Sequence, residues 1–523
     1  MTEITLQSIL YRILQNKHQV VLLIMSSALL ILSVGPFLLF IFLLLYKKIS
    51  LLHASLITLA TVLLSTIFIW KIIPIEIGNS FIKGFFISLD ILIIVIGAIF
   101  FLEILRATKI IDNVSYYLES FSPDYRVQVI LLAWFFENFL EGTAGFGTPS
   151  TVVAPLLIGL GMPPIRAAIL ALLGNSVSVA FGAAGTPIRT GFSGLNVTSV
   201  PALTALYNHI GFIVPIFMLW VLVSDKKDRK VQFFEALPFA IWSGIAFVVP
   251  SFWSTFLGPE FPSIVGSLIG LLLIVLTTKL NLFMPSKIRS PNHPKPVLQN
   301  ISLLKDFFPY ILLIIFLIIG KFTLSTISIP LVIGSIKHSF NLFNPGFAFI
   351  LSALPVVNFW GRGKSLILKS SHLAIRRSLE PFLVIVIMSS VTQLMINSGQ
   401  NFSGLASSLQ TIAKSFETRM LPLWAPFIGA FGSFITGSAT VSNIMFGSFL
   451  NLASQSVNLN AQKILSLEVV GAAAGNMVAL SDVLTTETVI GLKNQEHKII
   501  RGVIIPCGIY VLATGIIGLL VTT

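Results

Sequence analysis

Two acids one helical turn apart, Glu137 and Glu141, lead into a run that cannot remain regular helix: Glu141-Gly-Thr-Ala-Gly-Phe-Gly-Thr-Pro149. The flanks are largely apolar, from Trp134 to Leu140 and from Thr151 to Leu160. An ionised carboxyl in such a setting costs about 2.5–3.5 kcal/mol on membrane-insertion scales. Burial raises a carboxyl pKa toward neutrality, which would let Glu141 bind and release a proton. Glu137 falls on the same helical face and could share it. The plainer roles are a permanently neutral acid capping backbone for Glu141 and a lipid-interface position for Glu137.

A second run of the same character is Thr436-Gly-Ser-Ala-Thr-Val-Ser-Asn443. Each run is followed by an interrupted apolar segment. After the first come Gly174-Asn175 and Gly182-Ala-Ala-Gly-Thr-Pro187; after the second come Gly475-Asn476, Asp482 and Thr485-Thr486. Helix N-termini at such breaks present unpaired N–H groups with about +0.5 of partial charge, a setting for a small anion. The candidate binding residues are Gly142, Thr143, Gly145, Gly147, Thr148 and Asn175, with Thr440, Ser442, Asn443 and Asn476. Asp482 joins Glu141 and Glu137 as a candidate proton carrier. Small residues also let membrane helices pack closely. That explains glycines alone, but not Gly, Thr, Ser, Asn and Pro together at both breaks. Arg189 follows the first broken segment and could pair bidentately with a carboxylate, although an interfacial or salt-bridge role suits its place at a helix end better. Asp482 and Glu487 could pair with it, complete a cation site, or hold helices together.

The elements that must position these residues follow from composition. Of 523 residues, 55% are hydrophobic and only 10% charged, against about 25% charged in a soluble domain. The mean hydropathy is +0.94. No polar stretch is long enough to fold separately, so one polytopic membrane domain is expected. The net charge of +13 does not point to nucleic acid, because the basic residues sit in short loops between apolar segments. A single cysteine, Cys507, excludes an intramolecular disulfide. The polar stretch 1–18 precedes an apolar run too long for a cleavable signal.

Spanning segments are expected near 19–46, 51–72, 84–105, 168–188, 209–223, 238–256, 263–278, 307–320, 346–360, 381–398, 466–490 and 502–522. That is about 12 crossings in an all-α fold, with 321–345 open. The regions 127–160 and 421–455 read as re-entrant hairpins. Counting them as non-crossing puts the basic loops on one face, including Lys226-Lys227, the run Arg362 to Arg377, and Lys493/Lys498/Arg501. The positive-inside rule makes that face cytoplasmic. The chain then divides into an N-terminal half, 1–284, with its broken unit at 127–188, a cytoplasmic linker, 285–306, and a C-terminal half, 307–523, with its unit at 421–490. The units have opposite topology, the inverted repeat with broken helices of many secondary transporters.

The motifs Glu141-Gly-Thr-Ala-Gly-Phe-Gly-Thr-Pro149, Gly182-Ala-Ala-Gly-Thr-Pro187, Gly258-Pro-Glu-Phe-Pro262 and Thr436-Gly-Ser-Ala-Thr-Val-Ser-Asn443, with Ser122-Pro-Asp124, resemble the L-lactate permease family from about residue 20 onward. The resemblance implies a carrier of lactate and related 2-hydroxymonocarboxylates, coupled to protons, within a superfamily of inverted-repeat ion transporters. Ala439 stands where many members carry Asp or Asn, and the segment 321–345 is shorter than usual. Arg189, Asp482 and Glu487 are not typical of their positions.

The expected function is therefore secondary transport of a lactate- or glycolate-like anion with a proton, in the plasma (inner) membrane. Its partners are the monocarboxylate substrate, the proton and membrane lipid, with no nucleic acid; a homo-oligomer is left open. A sodium-coupled carrier of di- or tricarboxylates is the main rival, since the same breaks could hold a cation through carbonyl, Asn, Thr and Ser oxygens. A channel or a receptor-like sensor are more distant readings. No enzyme, metal or cofactor is expected. Gly363-Lys364-Ser365 lacks the first glycine of a phosphate loop, position 358 being Asn358, and the seven histidines show no metal-ligand spacing.

Overall fold

The computed structural model describes residues 27–44, 49–145, 147–290, 303–334, 336–359 and 363–522. The polar start 1–18, the beginning of the first expected span, Phe146 and most of the expected linker (291–302) lie outside the described residues. Ten described helices are long and apolar enough to cross a membrane: Ser27–Leu44, Leu51–Trp70, Pro74–Ala107, Val200–Val223, Arg229–Leu257, Pro262–Lys279, Lys305–Leu324, Gly363–Asn397, Ala461–Val489 and Glu496–Thr522. A bent pair, Pro164–Gly174 with Ser178–Arg189, raises the number to eleven if counted as one span. The chain is thus a multi-pass, all but wholly α-helical membrane protein.

Against the about 12 crossings expected, ten described helices, or eleven with the bent pair, meet the length and apolarity of a span. The segment expected at 346–360 forms the helix Pro345–Phe359, of 15 residues. At 1.5 Å per residue it is about 22 Å long, short of the ~30 Å hydrocarbon core. The open stretch before it folds as an antiparallel β-hairpin, Ser328–Ile333 paired with Ile336–Asn341 in register Ser328↔Asn341 to Ile333↔Ile336. Apart from an isolated antiparallel bridge, Ile72↔Asn401, it is the one departure from an all-α architecture among the described residues. Large apolar side chains such as Ile31, Phe68, Trp253, Phe256, Leu272 and Leu520 are exposed on the long helices, as lipid-facing surface requires.

Helices meet through small residues. A Cβ on Gly471 would lie 2.0 Å from the Pro426 carbonyl oxygen, and one on Gly475 would lie 2.3 Å from that of Ala430. The four-residue spacing brings the backbone of Ala461–Asn476 against that of Leu421–Thr436, the small-xxx-small packing of membrane helices. In the N-terminal half, Gly174 sits against the Ala133 carbonyl, 1.6 Å from where its Cβ would be. Each interrupted segment is therefore seated by a glycine on the helix that leads into the adjacent break.

Buried Arg126 ties the helical segment Tyr125–Ile130, which leads into the first break, to distant chain. Its Nη2 lies 2.7 Å from Asp124 Oδ2 and its Nη1 lies 3.0 Å from Glu235 Oε2. The same guanidinium donates to the carbonyls of Gln232 and Lys287. Arg289 completes the cluster against Asp228 and Glu235.

Candidate functional site

Three breaks converge. The first ends a helical run from Tyr125 to Thr143 that includes a π-helical turn, Leu131–Phe136, directly before Glu137. The chain reverses there through Gly145 (φ 57) and Gly147 (φ 68) into Thr148–Gly159. This left-handed region costs other residues about 1–2 kcal/mol. The second break ends Leu421–Thr436 at Gly437 (φ 67), after which Ser438 caps Ala439–Ser456, its Oγ accepting from the Val441 amide at 3.3 Å. The third lies in Gly182–Arg189, where Ala183, Ala184 and Gly185 are all left-handed (φ 41, 53 and 76).

These breaks enclose a cavity of ≈ 30 Å³, room for about two water molecules. The first break lines it with Glu141, Gly145 and Gly147, the second with Gly437, Ser438, Ala439 and Thr440. Gly182, Ala183, Thr186 and Pro187 come from the third, and Val179 and Asn476 complete the wall. Gly147, which precedes Thr148–Gly159, and Ser438, Ala439 and Thr440 at the start of Ala439–Ser456 belong to this wall. The N-terminal ends of two helices therefore share one small space with one acid, although the Thr148 amide already donates to the Gly145 carbonyl at 3.1 Å.

Of the residues singled out from sequence, Glu141, Gly145, Gly147, Thr440 and Asn476 line the cavity. Others stand behind it. Gly142 faces Ile264, 2.8 Å from where its Cβ would be. The Thr143 hydroxyl donates to the Leu140 carbonyl at 3.0 Å and that of Thr148 to the Gly145 carbonyl at 2.7 Å, so both hydroxyls serve the local backbone. Ser442 donates to the Gly429 carbonyl at 3.0 Å, joining the two arms of its unit. Asn443 Nδ2 donates to the Pro187 carbonyl at 2.9 Å, which ties the second break to the third. Asn175 is fully buried beside Glu141 without a well-formed hydrogen bond.

The acids differ in setting. Glu141 is buried with Oε2 unpartnered, its carboxyl packed where a side chain on Gly182 would be. Glu137 is fully buried with both oxygens unpartnered, next to Gly174. Asp482 accepts from Asn476 Nδ2 at 2.8 Å and packs 2.6 Å from the Cβ position of Gly147. It lines a larger vestibule of ≈ 860 Å³ with Ser481, Thr485, Arg376 and Arg377. Gly437 and Ser438 belong to both this vestibule and the small cavity. A second vestibule, of ≈ 430 Å³, is lined by Lys83, Lys337, Ser193 and Asn451 among others.

Arg189 pairs with neither Asp482 nor Glu487. Its Nη1 lies 2.6 Å from Glu260 Oε1, which Lys321 approaches at 3.5 Å, while Glu487 Oε1 accepts from the Gln495 amide. Sequence reasoning missed Glu260 as its partner, although Gly258-Pro-Glu-Phe-Pro262 stood out as a motif. Gly437 and Ser438, marked from sequence as part of the second run, also line the cavity, whereas Glu468, a fully buried acid with both oxygens unpartnered, was missed.

Ten or eleven apolar helices among the described residues, with three breaks that meet at a small polar cavity, define a polytopic membrane protein with an interrupted-helix interior. The chain belongs to the L-lactate permease family, whose model matches residues 29–329 and 324–523. The family comprises transporters and not enzymes. A relative from Haemophilus influenzae is 31% identical over 462 residues, covering 80% of this chain and 84% of its own. The L-lactate permease of Streptococcus iniae is 29% identical, covering 71% and 79%. The glycolate permease of Escherichia coli K12 is 26% identical, covering 89% and 91%.

Proposed function

We propose that this chain is a secondary carrier of short 2-hydroxymonocarboxylates, of the lactate and glycolate kind, moved across the plasma membrane together with a proton. The observation that carries the reading is the meeting of two helix N-termini and Glu141 around one cavity. The substrate carboxylate sits between the N-terminal ends of Thr148–Gly159 and Ala439–Ser456, whose partial positive charge favours an anion without a fixed cation. Thr440 and Asn476 offer hydrogen bonds to the 2-hydroxyl. Glu141 carries the proton, with Glu137 one turn behind and Asp482 at the vestibule. Anion and proton then cross as a neutral load, which spares about 2.3 kcal/mol per charge per 100 mV.

On this reading the units at 127–188 and 421–490 are inverted repeats, each a re-entrant hairpin followed by a broken helix. The matched seats of Gly174 on Ala133 and Gly475 on Ala430 support it, as does the gathering of basic loops on one face. The ≈ 860 Å³ vestibule beside Arg376 and Arg377 faces the cytoplasm. On the same reading the closure lies on the outer side, at the Asn443–Pro187 hydrogen bond and at Phe192, which packs on Gly447. Counterflow in proteoliposomes with a panel of short organic acids tests the proposal. Exchange confined to 2-hydroxymonocarboxylates supports it; exchange of di- or tricarboxylates, or an absolute need for sodium, contradicts it.

A further inference from the structure

Glu468 lies within Ala461–Asn476, a helix with no break at that position. Its side chain is fully buried and both carboxyl oxygens lack a hydrogen-bond partner. A Cβ placed on Gly447 would be 3.7 Å from Glu468 Oε2 and 2.5 Å from the Phe192 ring. Carboxyl and ring therefore share the space over one glycine. The residues following Phe192, Ser193 to Leu195, line the ≈ 430 Å³ vestibule together with Ser448 and Asn451 from the Gly447 helix. Phe192 thus adjoins the vestibule lining in the chain and packs over the same glycine as the acid.

The elements packed against this helix offer Glu468 no counter-charge. Leu421–Thr436, Ala439–Ser456 and Ser178–Phe181 contain no titratable residue. Val200–Tyr207 brings Tyr207. Glu496–Thr522 brings Cys507, whose Sγ donates to the Ala474 carbonyl, and Tyr510, whose hydroxyl donates to Asn208 Oδ1. The charged residues of that last helix, Glu496, His497, Lys498 and Arg501, lie at its far end, because Gly518 packs on Leu467. An unpaired ionised carboxylate in such a place is costly enough that the closed packing accommodates the neutral acid.

We propose that Glu468 is a proton-binding gate residue: neutral while Phe192 covers it, ionised once displacement of Phe192 opens it to water from the outer vestibule. The proposal rests on the proton-coupled carrier reading and adds to it a second proton site, on the outer side of the closure. Because the ionised form belongs to the open state, raising external pH favours opening and lowering it favours closure.

Thr190 is buried two residues before Phe192, so a cysteine there reports the opening. The experiment uses full-length protein carrying Thr190→Cys and Cys507→Ser in proteoliposomes. It follows labelling by an impermeant maleimide between about pH 5 and 8, corrected for thiolate fraction with a free-thiol standard, and pH-driven uptake in the same vesicles. Corrected labelling is expected to rise with pH, by about tenfold per unit at the steepest, and to be low and flat in Glu468→Gln. Glu468→Asp keeps a titrating group and should restore the rise. It carries the test alone if the glutamine variant does not insert, a flat profile then overturning the proposal. An equal rise in Glu468→Gln, or none in the parent, overturns the gate while intact pH-driven uptake leaves the carrier reading standing. Loss of pH-driven uptake by the parent itself removes the carrier reading and the gate together.

Discussion

Replacing Gly437 by alanine tests whether the second break must be bare backbone. A Cβ there would lie 1.7 Å from Ser481 Oγ and 2.9 Å from Ser481 Cβ, at a φ of +67°. The left-handed conformation alone costs alanine about 1–2 kcal/mol, and forcing a methyl into the contact adds about 1–3 kcal/mol. If the carrier must pass through this packing in each cycle, a penalty of at least about 2 kcal/mol slows exchange about thirtyfold or more. Ser481→Gly removes the obstruction but not the backbone cost. The double variant should therefore recover at least about fivefold, the equivalent of 1 kcal/mol, without reaching the parent. The assay is counterflow at matched protein content. Parent-like exchange by Gly437→Ala, or no recovery in the double variant, would refute the reasoning. Gly145→Val is the companion in the first break, with Ala183 Cβ only 3.0 Å from the added Cβ, and should abolish exchange while leaving the protein inserted.

Cysteines placed at exposed Lys227 and Arg376 should react only from the cytoplasm, and one at Asn196 only from outside; labelling of 227 and 196 from the same face would break the inverted-repeat reading. Arg126→Ala removes the buried guanidinium shared by Asp124 and Glu235, leaving Arg289 as their remaining cationic neighbour, a loss of up to about 3 kcal/mol. It should lower the Tm of the detergent-purified protein well below that of an Arg229→Ala control, and equal values would show the cluster to be dispensable.

The breaks were legible because they are local: glycines with positive φ beside Thr, Ser and Pro stand out against apolar helix. Glu141, Gly145, Gly147, Thr440 and Asn476 reach the cavity from positions the sequence already marks. What remained hidden depends on distant contacts. Nothing local distinguishes Gly147, which lines the cavity, from Gly142, which makes room for Ile264, or shows that Asn443 reaches across to the Pro187 carbonyl. Arg189 finds Glu260, 71 residues away in the chain, where a search within the opposite broken segment favours Asp482 or Glu487. Glu468 escaped notice because its helix carries no break there. The β-hairpin at 328–341 was masked by apolar residues that read equally as part of a short span.

The central claim is that Glu141 carries the coupled proton, and Glu141→Gln tests it most directly. Glutamine mimics the neutral acid in nearly the same volume. The loaded carrier should still reorient, so substrate exchange should persist, whereas uptake driven by a pH gradient should fail because gradient energy enters only through a titrating group. Glu137→Gln, one turn away and equally buried, is the internal comparison. The measurement is exchange and gradient-driven uptake in parallel on reconstituted parent and both variants. Retained exchange with lost pH-driven accumulation in Glu141→Gln is the predicted result. Intact accumulation by Glu141→Gln would contradict the account and move the proton to Glu137 or Asp482.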